Sequence, residues 1–365
     1  MAFLNENNEK NSFCSAQFTR PVVEMTSPLW FTETLAALAD HCELGAERMR
    51  CVMEKMMTGQ CDELEAAALL VALRMKGETA GEIAAAARVL REHMVRFETG
   101  RQDLLDTCGT GGDGQGTFNI STAAALVAAG AGVAVVKHGN RAASSNSGSA
   151  DVLAVLGVAV REDPGWVRQC LDCAGFAFCF APHFHPAMKH VAAVRRRLKV
   201  RTLLNCLGPL ANPAGAAYQL LGVGRPEWLD PMAGALAQLG TRRAFLVCGR
   251  DGLDEVSLAG PTQVREVCGQ TIRAHEWLPA DFGLAPCSRG DLLADGPAES
   301  AAIIRALLEG QEGPAARVVI ANAAAALMAA KKVETLADGV AMAGDSIRSG
   351  RARNVLEKLT KEPTP

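Results

Sequence analysis

The sequence predicts an α/β protein: a small N-terminal α-helical domain followed by a large α/β domain with a mainly parallel central sheet. Three observations lead there. The 365 residues exceed one average domain. Helix signals run from about residue 29 to 97. From about residue 104, short apolar runs alternate with loops and helix-forming stretches, the pattern of parallel strands joined by crossover helices. The expected units are a flexible extension over 1–28, a helical domain over 29–97 to which helices of the 190–215 region can be added, a linker at 98–103, and an α/β domain over 104–365.

In the helical part, Ser27-Pro28 reads as a cap with proline at the first helical position. The stretch DELEAAALLVALRMKG starts on Asp62 and stops at Gly77, and TAGE, Thr79 to Glu82, is a capping box opening a helix through Met94. Beyond the linker, LLDTC, VAVV, FAFCF, YQLLGV and AFLVCG are strand-like. The tail beyond Glu299 returns to helix in SAAIIRALLEG, RVVIANAAAALMAA and ETLADGVAMAGDSIRSG.

Composition narrows the function. Hydrophobic residues make up 49%, aromatics 5%, and the net charge is −3, which fits a soluble metabolic enzyme and argues against a nucleic-acid partner. The N-terminus lacks the layout of a signal peptide, and the run Ala123 to Val136 is too short and glycine-broken for a membrane span, so a cytoplasmic protein is expected. The 12 cysteines have no regular spacing and read as reduced, mostly buried side chains. Cys170, Cys173, Cys179, His183 and His185 cluster in sequence, yet no second CxxC follows, and strand alternation sends Cys179 into the core.

Four segments carry chemistry. In DTCGTGGDGQGTFNIST, Asp106 to Thr122, a buried strand gives way to the loop Gly109 to Asn119 and then to a helix. Gly109, Gly111 and Gly112 leave backbone N–H groups unshielded, and Asn119, Ser121 and Thr122 sit where a helix N-terminus begins, a combination suited to a phosphate or diphosphate. No Lys-Ser/Thr follows and no GxGxxG is placed correctly, so neither common nucleotide fingerprint applies. After VAVV, Lys137 and His138 lead into a second donor-rich loop with Asn140, Arg141, Ser144, Ser145, Asn146, Ser147 and Ser149; Lys137 reads there as a mobile point charge for phosphate. A third segment places Arg195, Arg196, Arg197 and Arg201 on a helix leading into GPL; spacing leaves a solvated face and a carboxylate-binding guanidinium equally open. In GRDGLDEVSLAGPT, Asp254 and Glu255 are either acid/base groups or hard oxygen ligands for Mg²⁺.

Taken in order, the blocks GTGGD with FNIST, KHGNRAASSNSGSADVL, FAPHFHPAMKHVAAVRRRLKVRTLLNCLGPLANP and GLDEVSLAGPT resemble the anthranilate phosphoribosyltransferase family, of the same superfamily as the pyrimidine nucleoside phosphorylases. The resemblance runs from about residue 29 to 360. It implies a fold of the nucleoside phosphorylase/phosphoribosyltransferase type, a homodimer and an active site at the hinge between domains. It further implies that Gly109, Gly112, Asp113, Thr117, Asn119, Ser121 and Thr122, with Lys137 and Ser149, hold phosphoribosyl diphosphate. Gly109, His138, Asn140 and Arg195 would face anthranilate, and Ser121, Asp254 and Glu255 would hold Mg²⁺; no residue is assigned as a general base. The reaction expected is transfer of the 5-phosphoribosyl group to the amine of anthranilate, in tryptophan biosynthesis. Asn146, Ala154, Gly116 and Lys199 depart from the family's usual residues. A nucleoside phosphorylase and a non-catalytic nucleic-acid-binding homologue are the alternatives; KHGNR and GTGGDG match the transferase better than the first, and the slight acidity with Asp254 and Glu255 retained argues against the second.

Overall fold

The computed structural model describes residues 29–142, 147–161 and 163–361. The extension, the Ser27-Pro28 cap, Ser144, Ser145 and Asn146 lie outside the described residues. Four helices open the fold: α1 (Trp30–Ala39), α2 (Gly45–Thr58), α3 (Glu63–Lys76) and α4 (Ala80–Glu92). The Asp62 side chain accepts the Glu65 N–H at 2.8 Å, and the Glu65 side chain accepts the Asp62 N–H at 3.1 Å. This reciprocal capping satisfies two backbone donors at the start of α3. Thr79 and Glu82 do the same for α4, which ends at Glu92, short of the expected Met94. Glu82 is fully buried and keeps its charge compensated by accepting from Lys76 Nζ at 2.8 Å and Leu44 N–H at 3.0 Å.

The α/β part holds seven strands: β1 (Leu105–Gly109), β2 (Val135–Gly139), β3 (Phe176–Phe180), β4 (Tyr218–Gly222), β5 (Arg243–Gly249), β6 (Thr262–Cys268) and β7 (Thr271–Trp277). They form one sheet in the order β3-β2-β1-β4-β5-β6-β7. The first five strands are parallel and are the five apolar runs read from the sequence; β6 and β7 add an antiparallel hairpin that those runs did not reveal. Strand order reverses at β1, whose neighbours are β2 on one side and β4 on the other. The crevice at the carboxyl ends there is where open α/β sheets bind ligands.

The longer helices of this part are α5 (Ile120–Gly130), α6 (Ser149–Val155), α7 (Pro164–Ala174), α8 (Lys189–Leu198), α9 (Leu203–Leu210), α10 (Leu229–Gln238), α11 (Pro297–Leu308), α12 (Pro314–Ala329), α13 (Leu336–Arg348) and α14 (Arg351–Thr360). The pleat divides the core. Leu220, Phe245 and Val247 face a cluster with α5, α12 and α14, whereas Leu221, Leu246 and Cys248 face a second cluster built from α1–α4 with α8, α9 and α10. Cys170 and Cys179 are buried and Cys173 is exposed. Among the described residues no helix is long and apolar enough to cross a membrane.

Candidate active site

Two adjoining cavities open at the carboxyl ends of β1, β2 and β3. One, of about 420 Å³, is walled by His138, His185, Met188, Arg195 and Asn205. The other, of about 300 Å³, is walled by Gly112, Asp113, Asn119, Ser121, Lys137, Asp254 and Glu255. Gly109, His138, Asn140, Arg195 and Asn205 line both.

The loop between β1 and α5 is fixed at both ends. Thr110 N–H donates to Gly222 O at 2.9 Å, and the Thr110 hydroxyl accepts the Gly224 N–H at 3.0 Å. Farther on, Phe118 N–H donates to Leu292 O at 2.9 Å, and Gly116 O accepts the Ala294 N–H at 3.0 Å. Gly112 sits at φ 69°, and a Cβ there would fall 1.0 Å from a guanidinium nitrogen of Arg201. The left-handed backbone conformation favours glycine, and the guanidinium occupies the space a side chain would take. Asn119 Oδ1 accepts from Ser147 Oγ at 2.8 Å and Ser300 Oγ at 3.0 Å, and Asn119 N–H donates to Ser300 Oγ at 2.9 Å. Ser300 is a positioning residue that no sequence motif marked, because it reaches the loop from α11. Thr122 does not wall either cavity: it is fully buried, and its hydroxyl has no partner among the described residues.

Lys137 lies in β2, not in a loop, because the strand continues through Gly139. Its ammonium is buried and donates to Thr107 O and to Ser121 Oγ, the latter at 3.2 Å. It is therefore a fixed charge, neither the surface cation nor the mobile one that its sequence context suggested. Burial lowers its pKa, while Asp106, Cys108, Glu255 and Asp254 hold it up. Asp106, also buried, accepts the His138 N–H at 3.2 Å and the Asn212 Nδ2 donor at 2.8 Å. Burial pushes its carboxyl up to about 6 against the pull of Lys137.

His138 and His185 lie against each other with ring centroids 4.9 Å apart and planes tilted by 50°. His138 Nδ1 meets Gly208 O and His185 Nε2 meets Ala211 O, each at 3.0 Å, so each ring donates to a carbonyl through that nitrogen. Burial first, then the neighbouring ring, pushes His138 down to about 3; burial pushes His185 down to about 4. Both are neutral near pH 7. Arg195 is half-buried between the cavities and pairs with no carboxylate among the described residues, whereas Arg196 and Arg197 are exposed and Arg197 pairs with Glu63 at 2.9 Å. Arg201 is not on the same helix, since α8 ends at Leu198; it lies in the link to α9 and donates to Thr110 O at 2.7 Å.

The acids converge on the same wall. Gly109 and Gly222 are register partners of β1 and β4, and a Cβ on Gly222 would fall 1.7 Å from Asp254 O, so the bare strand ends admit the Asp254 backbone. Enclosure, then the charge of Asp113, pushes the Asp254 carboxyl well above the carboxylate range, opposed by Arg201. Enclosure and Asp254 raise Glu255, opposed by Lys137 and by a hydrogen bond from the Ser121 backbone. Hard oxygen donors short of positive charge suit Mg²⁺. Among the described residues no three acidic, histidine or cysteine side chains enclose an ion by themselves.

Residues 32–94 match the glycosyl transferase family helical bundle domain and residues 101–353 its a/b domain. The anthranilate phosphoribosyltransferase of Rhodopirellula baltica is 47% identical over 91% of this chain and 97% of its own length. The chain belongs to the anthranilate phosphoribosyltransferase family. The family member from Symbiobacterium thermophilum is 48% identical over 89% of this chain and 95% of its own. The crystal structure of anthranilate phosphoribosyltransferase from Thermus thermophilus superposes with a TM-score of 0.84 at 47% identity, covering 90% of this chain and 98% of that one. Anthranilate phosphoribosyltransferase from Saccharomyces cerevisiae, in complex with PRPP and Mg, superposes with a TM-score of 0.85 at 30% identity, covering 93% and 99%. The small helical unit and the larger α/β unit on a mostly parallel sheet are the family's architecture, and the chain is an enzyme of that activity.

Proposed function

We propose that the two adjoining cavities hold the two substrates of one displacement, phosphoribosyl diphosphate on the Gly112–Lys137–Glu255 side and anthranilate on the Arg195 side. The observation that carries this assignment is the junction: Gly109, Asn140 and Arg195 line both spaces, so an amine in one faces an anomeric carbon in the other. Mg²⁺, held by Ser121, Asp254 and Glu255, supplies charge neutralisation for the diphosphate as it leaves. Lys137 adds fixed positive charge at the leaving group, where negative charge develops. Gly112, Asp113, Thr117, Asn119 and Ser149 shape the remainder of that site.

On the acceptor side, neutral His138 and His185 leave Arg195 to define the position of the substrate carboxylate. The aniline nitrogen is unprotonated at neutral pH, so positioning counts for more than proton removal. Thr122 contributes through the packing of α5. The active unit is a homodimer in the cytoplasm, with neither a nucleic-acid nor a membrane partner; the near-neutral net charge speaks against the nucleic acid.

The test is anthranilate fluorescence followed with purified protein, phosphoribosyl diphosphate and Mg²⁺. Signal loss only when all three are present is expected; loss without phosphoribosyl diphosphate, or none with the complete mixture, contradicts the assignment. The Asp254→Asn, Glu255→Gln double variant should require far more Mg²⁺ for activity, and a magnesium titration overlaying the wild type would remove the carboxylates from the metal site.

A further inference from the structure

We propose that Arg201 is a displaceable internal counter-ion: its guanidinium compensates the Asp113–Asp254 carboxyls and clamps the 110–113 turn before substrate arrives, then turns its charge to the incoming diphosphate. The proposal rests on the substrate assignment above and adds a residue to which that assignment gives no role.

Three placements carry it. One nitrogen of Arg201 donates to Thr110 O at 2.7 Å, at the mouth of the phosphate loop. The guanidinium fills the space beside Gly112, with its three nearest atoms 1.0, 1.6 and 2.2 Å from where a Cβ would stand. It shares a cavity wall with Asp113 and Asp254, whose charges hold the guanidinium's pKa up, and Arg201 in turn opposes the rise of Asp254. Arg201 also walls the cavity that contains Ser121, Lys137 and Glu255. Lys137 is pinned in β2 by its bonds to Thr107 and Ser121, whereas Arg201 hangs from the link between α8 and α9, at the end of a long side chain. A cation at the acids competes with Mg²⁺ for them, and a planar fork beside bare glycine backbone is well shaped for two phosphate oxygens. Metal and diphosphate entering together remove the competition and supply the new partner.

The experiment compares wild type, Arg201→Gln and Arg201→Lys in two binding measurements that do not depend on turnover. Mn²⁺ binding to substrate-free protein is read by electron paramagnetic resonance, and inorganic diphosphate binding in the presence of Mg²⁺ by calorimetry. Losing one charge-assisted partner should tighten Mn²⁺ about tenfold in Arg201→Gln and weaken diphosphate by about tenfold or more. Arg201→Lys, which retains charge without the fork, should keep wild-type Mn²⁺ affinity and lose part of the diphosphate affinity, and it carries the test if Arg201→Gln does not fold. Unchanged or weaker Mn²⁺ binding in Arg201→Gln, or undiminished diphosphate affinity in both variants, overturns the proposal. Wild-type protein that binds no Mn²⁺ even with diphosphate would instead overturn the metal assignment itself, a distinguishable failure.

Discussion

At the scale of single residues, the site is a set of charges whose compensation is built in on one side and left open on the other. Arg195 is the open one. Arg195→Ala should raise the anthranilate KM roughly 10- to 100-fold, the range for a lost hydrogen bond to a charged group, with the phosphoribosyl diphosphate KM little changed. Equal effects on both constants in steady-state kinetics would remove Arg195 from the carboxylate role. Ser300 acts at one remove, holding Asn119 from a distant helix. Ser300→Ala deletes two hydrogen bonds to Asn119, and a loss near 1 kcal/mol should raise the phosphoribosyl diphosphate KM about fivefold and leave that of anthranilate in place. A rise in the anthranilate KM alone would mean that Asn119 serves the other substrate.

At the scale of elements, what could be read in advance was whatever is local. The capping boxes at Asp62 and Thr79, the five apolar parallel strands and the glycine loop after β1 each announce themselves within a few residues. β6 and β7 did not, because only partial burial interrupts their polar sequences and no long apolar run results. The site followed the same division. The loop residues and Asp254 with Glu255 were legible as motifs, but the burial of Lys137 was not, since an apolar strand ending in Lys-His reads as a strand that has ended. Ser300 and the placement of Arg201 depend on packing between segments far apart in sequence, which no spacing encodes. Helix packing itself carries a prediction: a Cβ on Gly339 of α13 would lie 2.9 Å from the Ala324 backbone of α12. Gly339→Val should cost about 1–3 kcal/mol by overpacking, seen as a lower urea midpoint with unchanged slope. A wild-type midpoint would show that the two helices separate without penalty.

For the whole molecule, the paired buried histidines His138 and His185 link stability to pH. Unfolded, both titrate near 6.5; folded, they titrate near 3 and 4. The unfolded chain therefore binds more protons between those values, so the stabilising contribution is complete above pH 6.5 and is lost as pH falls. Each histidine should remove up to about 1.4 kcal/mol per pH unit in that window. Denaturant unfolding at pH 7 and pH 5.5 should show the drop, and His185→Asn should show a smaller one; parallel curves for the two proteins would locate the pH sensitivity elsewhere. The ends of the sheet bear on a different property, the fate of the protein at high concentration. β3 is only five residues long, and β7 exposes Arg273, His275 and Glu276 along a strand whose sole buried residue is Trp277. Neither border offers a long, flat, apolar template, and charged side chains on an outer strand disfavour the addition of a strand from a neighbouring molecule. The hairpin that the sequence concealed thus resists aggregation by closing off a sheet whose five parallel strands would otherwise end on the unpaired N–H and C=O groups of the apolar strand β5.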